Sequence, residues 1–259
     1  LKEKRWFVNS QGHTMAIVDG AEFRMGAPSY ELGRTRDEVY HKKRINRRFA
    51  IATTEVTLGQ WRIFQNANTD VLEDLANHEQ IQTLCSTEDS PIPAVTWYEA
   101  AAYCNWLSQK EGIPKEQWCY ERNSAQLFQA GMRAKGNYLS LEGYRLPSDA
   151  EWEFACRAGS NTPRYFGETD TMLPYYGWYG QSSPQPVAQL MPNDLGLFDM
   201  LGNLFEWCHN SSTSIDRTPE DIEDTAEILD EESRVIRGGA YSYDPSVLRA
   251  AYREVNQPS

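Results

Sequence analysis

Apolar and polar residues along the chain follow a helical period in only a few places, and each begins at a capping signal. Thr57-Leu-Gly-Gln60 predicts a helix through Trp61, Phe64 and Gln65, and Thr96-Trp-Tyr-Glu99 predicts one to about Gln109 with Gly112 past its end. Ser148-Asp-Ala-Glu151 predicts a third helix through Trp152 and Ala155 to about Arg157, terminated by Gly159. In each, the hydroxyl can accept from the amide at the third helical position while Gln or Glu reaches back to the cap's own amide. In the second helix Trp97, Ala101, Cys104 and Leu107 recur at three-to-four-residue spacing, so one buried face is expected, with Cys104 on it as core. Residues 124–133 form a further amphipathic candidate. The short apolar runs Met15–Val18, Phe49–Ala52 and Val235–Ile236 lie between Gly, Pro and Asn clusters, as short strands do. From Thr162 to Asn193 five prolines break up any period. With no repeat or low-complexity linker, the pattern is that of one domain over residues 1–259 with few helices, many short strands and long structured loops.

Composition agrees with a globular chain. Of its 259 residues, 40 % are hydrophobic and 24 % charged, which is enough for a sizeable core without disulfides. The net charge of −12 argues against general attraction to nucleic acid or an anionic membrane. Acid concentrates between Asp216 and Glu232, where nine carboxylates face one Arg, and reads as a solvated or cation-binding loop. Base concentrates between Arg34 and Arg48, a strand and turn whose charges face water or that acidic loop. Five cysteines without a C-x-x-C pair suit free, buried thiols in a reducing compartment, so a cytoplasmic location is expected over secretion. No apolar run reaches the length of a membrane span. The chain starts at Leu1 without a signal-peptide pattern, and reads as a piece of a longer protein.

Six segments carry a resemblance. They are Phe23-Arg-Met-Gly26, Phe49-Ala-Ile-Ala-Thr-Thr-Glu-Val-Thr57, the stretch from Pro93 to Trp106, Gly143-Tyr-Arg-Leu-Pro-Ser-Asp-Ala-Glu-Trp-Glu-Phe-Ala-Cys-Arg157, Asn193-Asp-Leu-Gly-Leu-Phe-Asp-Met-Leu-Gly-Asn-Leu-Phe-Glu-Trp207 and Arg234-Val-Ile-Arg-Gly-Gly-Ala-Tyr241. In order and spacing they resemble the formylglycine-generating enzymes, or sulfatase-modifying factors. The resemblance implies an α+β fold, a loop-rich variant of the C-type lectin fold with short antiparallel strands. It also implies an oxidase in which two cysteines after the last motif hold copper(I), an ion that prefers soft thiolates. Here the last cysteine is Cys208; Tyr243 stands in the first catalytic cysteine's place, Ala240 replaces a serine, and the second cysteine has no counterpart. No catalytic residue carries over. A related branch uses iron held by three histidines, but His13, His41, His78 and His209 are scattered and show no ligand spacing.

The resemblance further implies a structural calcium ion, held by the side chains of Asp199 and Glu206 and the backbone oxygens of Gly202 and Leu204. An oxygen set around a glycine turn suits that hard cation. The alternative is that the two acids cap turns and pair with arginines. The former active-site groove would be lined by Trp207, Tyr241 and Tyr243, with Arg249 and Arg253, unless those arginines are interior partners of carboxylates. Aromatics with Arg are typical of recognition surfaces. The leading expectation is a non-catalytic module binding an unknown protein or small ligand in this groove. The alternatives are a metal-dependent oxidase with unrecognised ligands and a purely structural subunit.

Overall fold

A computed structural model describes residues 4–68, 78–213 and 218–259. The architecture is α+β, with ten short strands and four helices among the described residues. The first sheet joins β1 (Trp6–Val8), β2 (Thr14–Asp19) and β5 (Arg48–Ala52) in the order β1-β2-β5. Strands β3 (Glu22–Met25) and β4 (His41–Arg44) form a hairpin-like pair, as do β6 (Tyr120–Glu121) and β7 (Arg133–Ala134). The last sheet, β10-β9-β8, contains β8 (Glu206–Ser211), β9 (Arg234–Arg237) and β10 (Arg253–Asn256). All these pairings are antiparallel.

The three predicted caps open α1 (Leu58–Asn66), α3 (Trp97–Lys110) and α4 (Asp149–Arg157), each with both hydrogen bonds of the capping box formed. A fourth helix, α2 (Glu79–Leu84), has no side-chain cap and gave no sequence signal. The amphipathic candidate at 124–133 is not a helix. The Asn123 carboxamide accepts from the amides of Ala125 and Leu127 and donates to the Ala130 carbonyl, and Gln126 takes a positive φ of 64°. Those local bonds compete with a helical ladder and win. The single buried face expected for α3 also needs correction. It is buried nearly all round, from Tyr98 and Ala101 through Ser108, because the segment from Trp118 to Leu146 covers its second side.

Three apolar clusters fill the interior. One packs α4 against β9 through Trp152, Cys156, Leu201 and Val235. The second stacks α1 on α3 through Trp61, Phe64, Tyr103 and Trp106, and the third joins α3 to Cys119, Tyr120 and Tyr138. Phe128 and Tyr144 pack against both of the latter. The basic and acidic stretches meet as expected: Lys43 is buried, donating to the carbonyls of Thr218 and Glu220, and Arg47 pairs with Asp221. Asp216 and Arg217 of the acidic stretch lie outside the described residues. Among the described residues no helix is long and apolar enough to cross a membrane.

Candidate functional site

The segment Asp199–Glu206 leads into β8 and curls tightly. Asp199, Gly202 and Asn203 have φ of 57°, 97° and 58°, in the left-handed region. Only glycine fits position 202, because a Cβ there would lie 1.9 Å from the Trp178 carbonyl oxygen. The amide of Gly202 donates to Gly238 (2.8 Å), and that of Asn203 donates to Trp178 (3.1 Å). The Asn203 carbonyl in turn accepts from Tyr241 (2.7 Å). The segment is thus sewn between the loop around Trp178 and the Gly238–Tyr241 turn.

Three carboxyl groups lie around this curl, on the buried Asp199 and the half-buried Glu55 and Glu206. Asp199 accepts from the Ala188 amide at Oδ2 (2.8 Å), while its buried Oδ1 has no hydrogen-bond partner. Glu206 accepts from the Trp152 indole (2.9 Å). Glu55, just before α1, accepts from the Leu204 amide (2.8 Å) and the Asn203 carboxamide (2.6 Å). Burial pushes the Asp199 carboxyl up to about 6. Burial, with Asp199's charge added, pushes Glu206 up to about 7, and burial with both neighbouring charges raises Glu55 well above the usual range. Among the described residues none of the three has an Arg or Lys ion pair. The expected alternative, pairing of Asp199 and Glu206 with arginines, is therefore not what the structure has. The carbonyls of Gly202 and Leu204 accept no hydrogen bond among the described residues. An orphaned carboxylate oxygen, two spare carbonyls and uncompensated negative charge fit a hard cation, because calcium takes oxygens of these kinds. Among the described residues no three His, Cys, Asp or Glu side chains surround a common metal position, so the fit rests on two acids plus backbone oxygens.

The remaining sequence candidates separate into two groups. Tyr241 and Tyr243 stay together at the surface: the Gln181 and Gly180 amides donate to their carbonyls, and Tyr243 packs edge-on against Phe205 with centroids 5.1 Å apart. Tyr243 is 41 % exposed. Trp207 is half-buried, its indole donating to the Val95 carbonyl (2.8 Å). Arg249 and Arg253, by contrast, point inward. Arg249 donates to Glu31 and Glu38 (2.7 Å each) and to the Gly33 carbonyl, and Arg253 lies 3.1 Å from Asp149. The structure therefore moves these two arginines from the groove to the interior, where a charge needs a carboxylate partner.

Sequence reasoning missed Glu55 and Asn203. Glu55 stood inside the quoted Thr-Thr-Glu-Val-Thr run, but nothing local shows that this acid reaches a loop 149 residues away. It also missed the arginine lattice behind the sheet. Arg237 donates to Asp149 (2.5 Å) and Glu153 (3.0 Å) and to the carbonyls of Ala250 and Tyr252, and Arg157 holds the other side of Glu153.

The thiols are enclosed and the imidazoles are engaged elsewhere or lie apart. All five cysteines are free and buried, and burial raises Cys85 and Cys119 to about 11 and Cys104, Cys156 and Cys208 further. His13 bonds the Tyr103 hydroxyl, His41 the Val39 carbonyl, and His209 lies between the Tyr120 hydroxyl and the Asp224 carbonyl. His78 sits at the start of α2.

Comparison with known proteins agrees with the motifs. The family described as the sulfatase-modifying factor enzyme 1-like domain matches residues 5–259. The chain belongs to this family. This sulfatase-modifying-factor-like chain is similar to the chaperone protein LppX of Paenibacillus barcinonensis, 25 % identical over 220 residues that span 75 % of this chain and 70 % of LppX. It is 28 % identical over 170 residues to the serine/threonine-protein kinase Pkn1 of Chlamydia trachomatis, covering 65 % of this chain but only 22 % of the kinase. Among solved structures, PvdO from Pseudomonas aeruginosa superposes with a TM-score of 0.73 over 100 % of this chain and 95 % of that one. At 23 % identity, that likeness is one of fold.

Proposed function

We propose that this domain is a non-catalytic binding module, with a recognition surface formed by Phe205, Trp207, Tyr241 and Tyr243. The observation that carries the proposal is at Tyr243. Where the family resemblance calls for a copper-binding cysteine, an exposed tyrosine packs on Phe205, and every thiol of the chain is buried and hard to ionise. A thiolate pair is the ligand set that copper(I) oxidase chemistry needs. Aromatic side chains on loops held by a rigid scaffold are suited to recognition, and a lectin-like core tolerates such loop changes. The name of the Paenibacillus relative, a chaperone, favours a protein as the partner. The small share of the kinase that is matched favours a module that also works as part of larger chains.

Calcium supports this surface in the same proposal. Asp199 and Glu206 with the carbonyls of Gly202 and Leu204 would hold the ion, and its charge would offset Glu55. The ion would supply structural rigidity to the curl from which Phe205 and Trp207 project, not chemistry.

Metal analysis with oxygen-uptake assays on a cysteine-containing peptide tests the proposal against the oxidase alternative. The expected result is calcium alone and no oxygen consumption. Stoichiometric copper or iron together with peptide-dependent oxygen uptake would overturn it.

A further inference from the structure

A second candidate site lies between α1, α3 and the 113–142 segment, and shares no residue with the Asp199–Glu206 curl or the Tyr243 surface. A cavity of 510 Å³ opens there, within the size range of small-molecule sites. Its floor is apolar and buried: Phe64 from α1, Ala102 and Trp106 from α3, and Tyr120 from β6. Its walls are the half-buried rings of Trp118 and Phe128, both supplied by the 113–142 segment that covers the helix. Lys115, Arg122 and Lys135 stand around its mouth with the amides of Gln109 and Gln126.

The charges there run against the rest of the molecule. The chain carries 37 acids to 25 bases, and its ion pairs occupy many of its arginines. Yet none of these three cations has an ion pair among the described residues. Lys135 donates only to the carbonyls of Lys115 and Glu116, and Arg122 reaches only the Gln126 carbonyl while lying over the Phe128 ring. Glu121 is the one carboxylate lining the cavity among the described residues. Among the described residues the Trp106 indole N–H, on a residue only 5 % exposed, is buried without an acceptor. A buried donor left unmade costs about 1–3 kcal/mol, so this one calls for an acceptor.

We propose that this cavity binds a small ring-bearing organic anion. Its flat face would lie between Trp118 and Phe128 on the aromatic floor, and its carboxylate, phosphate or sulfonate would face Lys115, Arg122 and Lys135. Aromatic walls supply contact area for a ring, and the cationic mouth selects the charged end and speeds capture.

The test uses 8-anilinonaphthalene-1-sulfonate, an aromatic anion, against N-phenyl-1-naphthylamine, its neutral counterpart without the sulfonate. The natively folded chain should bind one sulfonate probe, with energy transfer from tryptophan, about five- to tenfold more tightly than the neutral probe. The double variant Lys115→Gln/Arg122→Gln should remove that preference, while Arg24→Gln/Arg36→Gln, with the same change in net charge elsewhere, should keep it. Trp118→Ala should weaken both probes. Equal affinity for the two probes, indifference to the Lys115/Arg122 pair, or binding seen only where near-ultraviolet circular dichroism is lost would each overturn the proposal. None of these outcomes bears on the Tyr243 surface, so the two readings stand or fall apart.

Discussion

Two charged clusters of the interior touch α4, and they are built on opposite principles. Behind the sheet, Arg237 and Arg157 interleave with Asp149 and Glu153, and at the cap of α4 Glu151 is gripped by Arg145 and Arg47. Around the Asp199–Glu206 curl, Glu55, Asp199 and Glu206 have no Arg or Lys partner among the described residues. The first region supplies its own counterions and locks the fold. The second does not, and such a deficit is what the proposed site for an external cation requires.

Breaking the closed region should have the largest effect. Arg237→Ala leaves Asp149 and Glu153 buried beside one arginine fewer and should cost about 3–5 kcal/mol in urea denaturation; a loss below about 1 kcal/mol would mean the lattice is not a structural lock. The open region should instead respond to ligand. Calcium at about a hundred times its dissociation constant should add about 2.7 kcal/mol, or roughly 5–10 °C in melting temperature. Asp199→Ala should abolish that gain, and an unchanged gain in the variant would remove Asp199 from the site.

Acidity should separate the regions next. Asp199 and Glu206 rise from 3.8 and 4.5 to about 6 and about 7, so they bind protons more tightly when folded. Their contribution is complete below about pH 4 and is lost as the pH rises towards 7. Glu151, lowered to about 2 because the Arg145 and Arg47 charges overcome its burial, behaves in the reverse sense. Its contribution is present above 4.5 and is lost as the pH falls towards 2. Calcium-free melting curves between pH 4 and 7 should therefore fall with rising pH, and calcium should flatten them; a calcium-insensitive slope would break the contrast. The smallest effect belongs to a solvent-exposed pair: Arg133→Gln, which faces Glu227 at the surface, should change stability by about 0.5 kcal/mol or less.

The same contrast shows how much was legible in the sequence. Capping boxes are local, and Thr57, Thr96 and Ser148 marked their helices to within a residue or two. The curl was legible as a segment because its family motif is continuous, so Asp199, Gly202, Leu204 and Glu206 fall within eight consecutive residues. Glu55 was not, since its role is set by contact across the fold, and the same holds for the arginines. Arg249 and Tyr243 are six residues apart, yet one is buried on Glu31 and Glu38 while the other faces water. The false helix at 124–133 had the right spacing, but Asn123 captured its first amides before a ladder could form.

The five enclosed thiols give the molecule a built-in clock. With Cys85, Cys104, Cys119, Cys156 and Cys208 spread over all three apolar clusters, a maleimide can alkylate the chain only when its interior opens. The order in which they are modified would chart which layer loosens first. A single cysteine placed on the surface could carry a dye with no background from the native five.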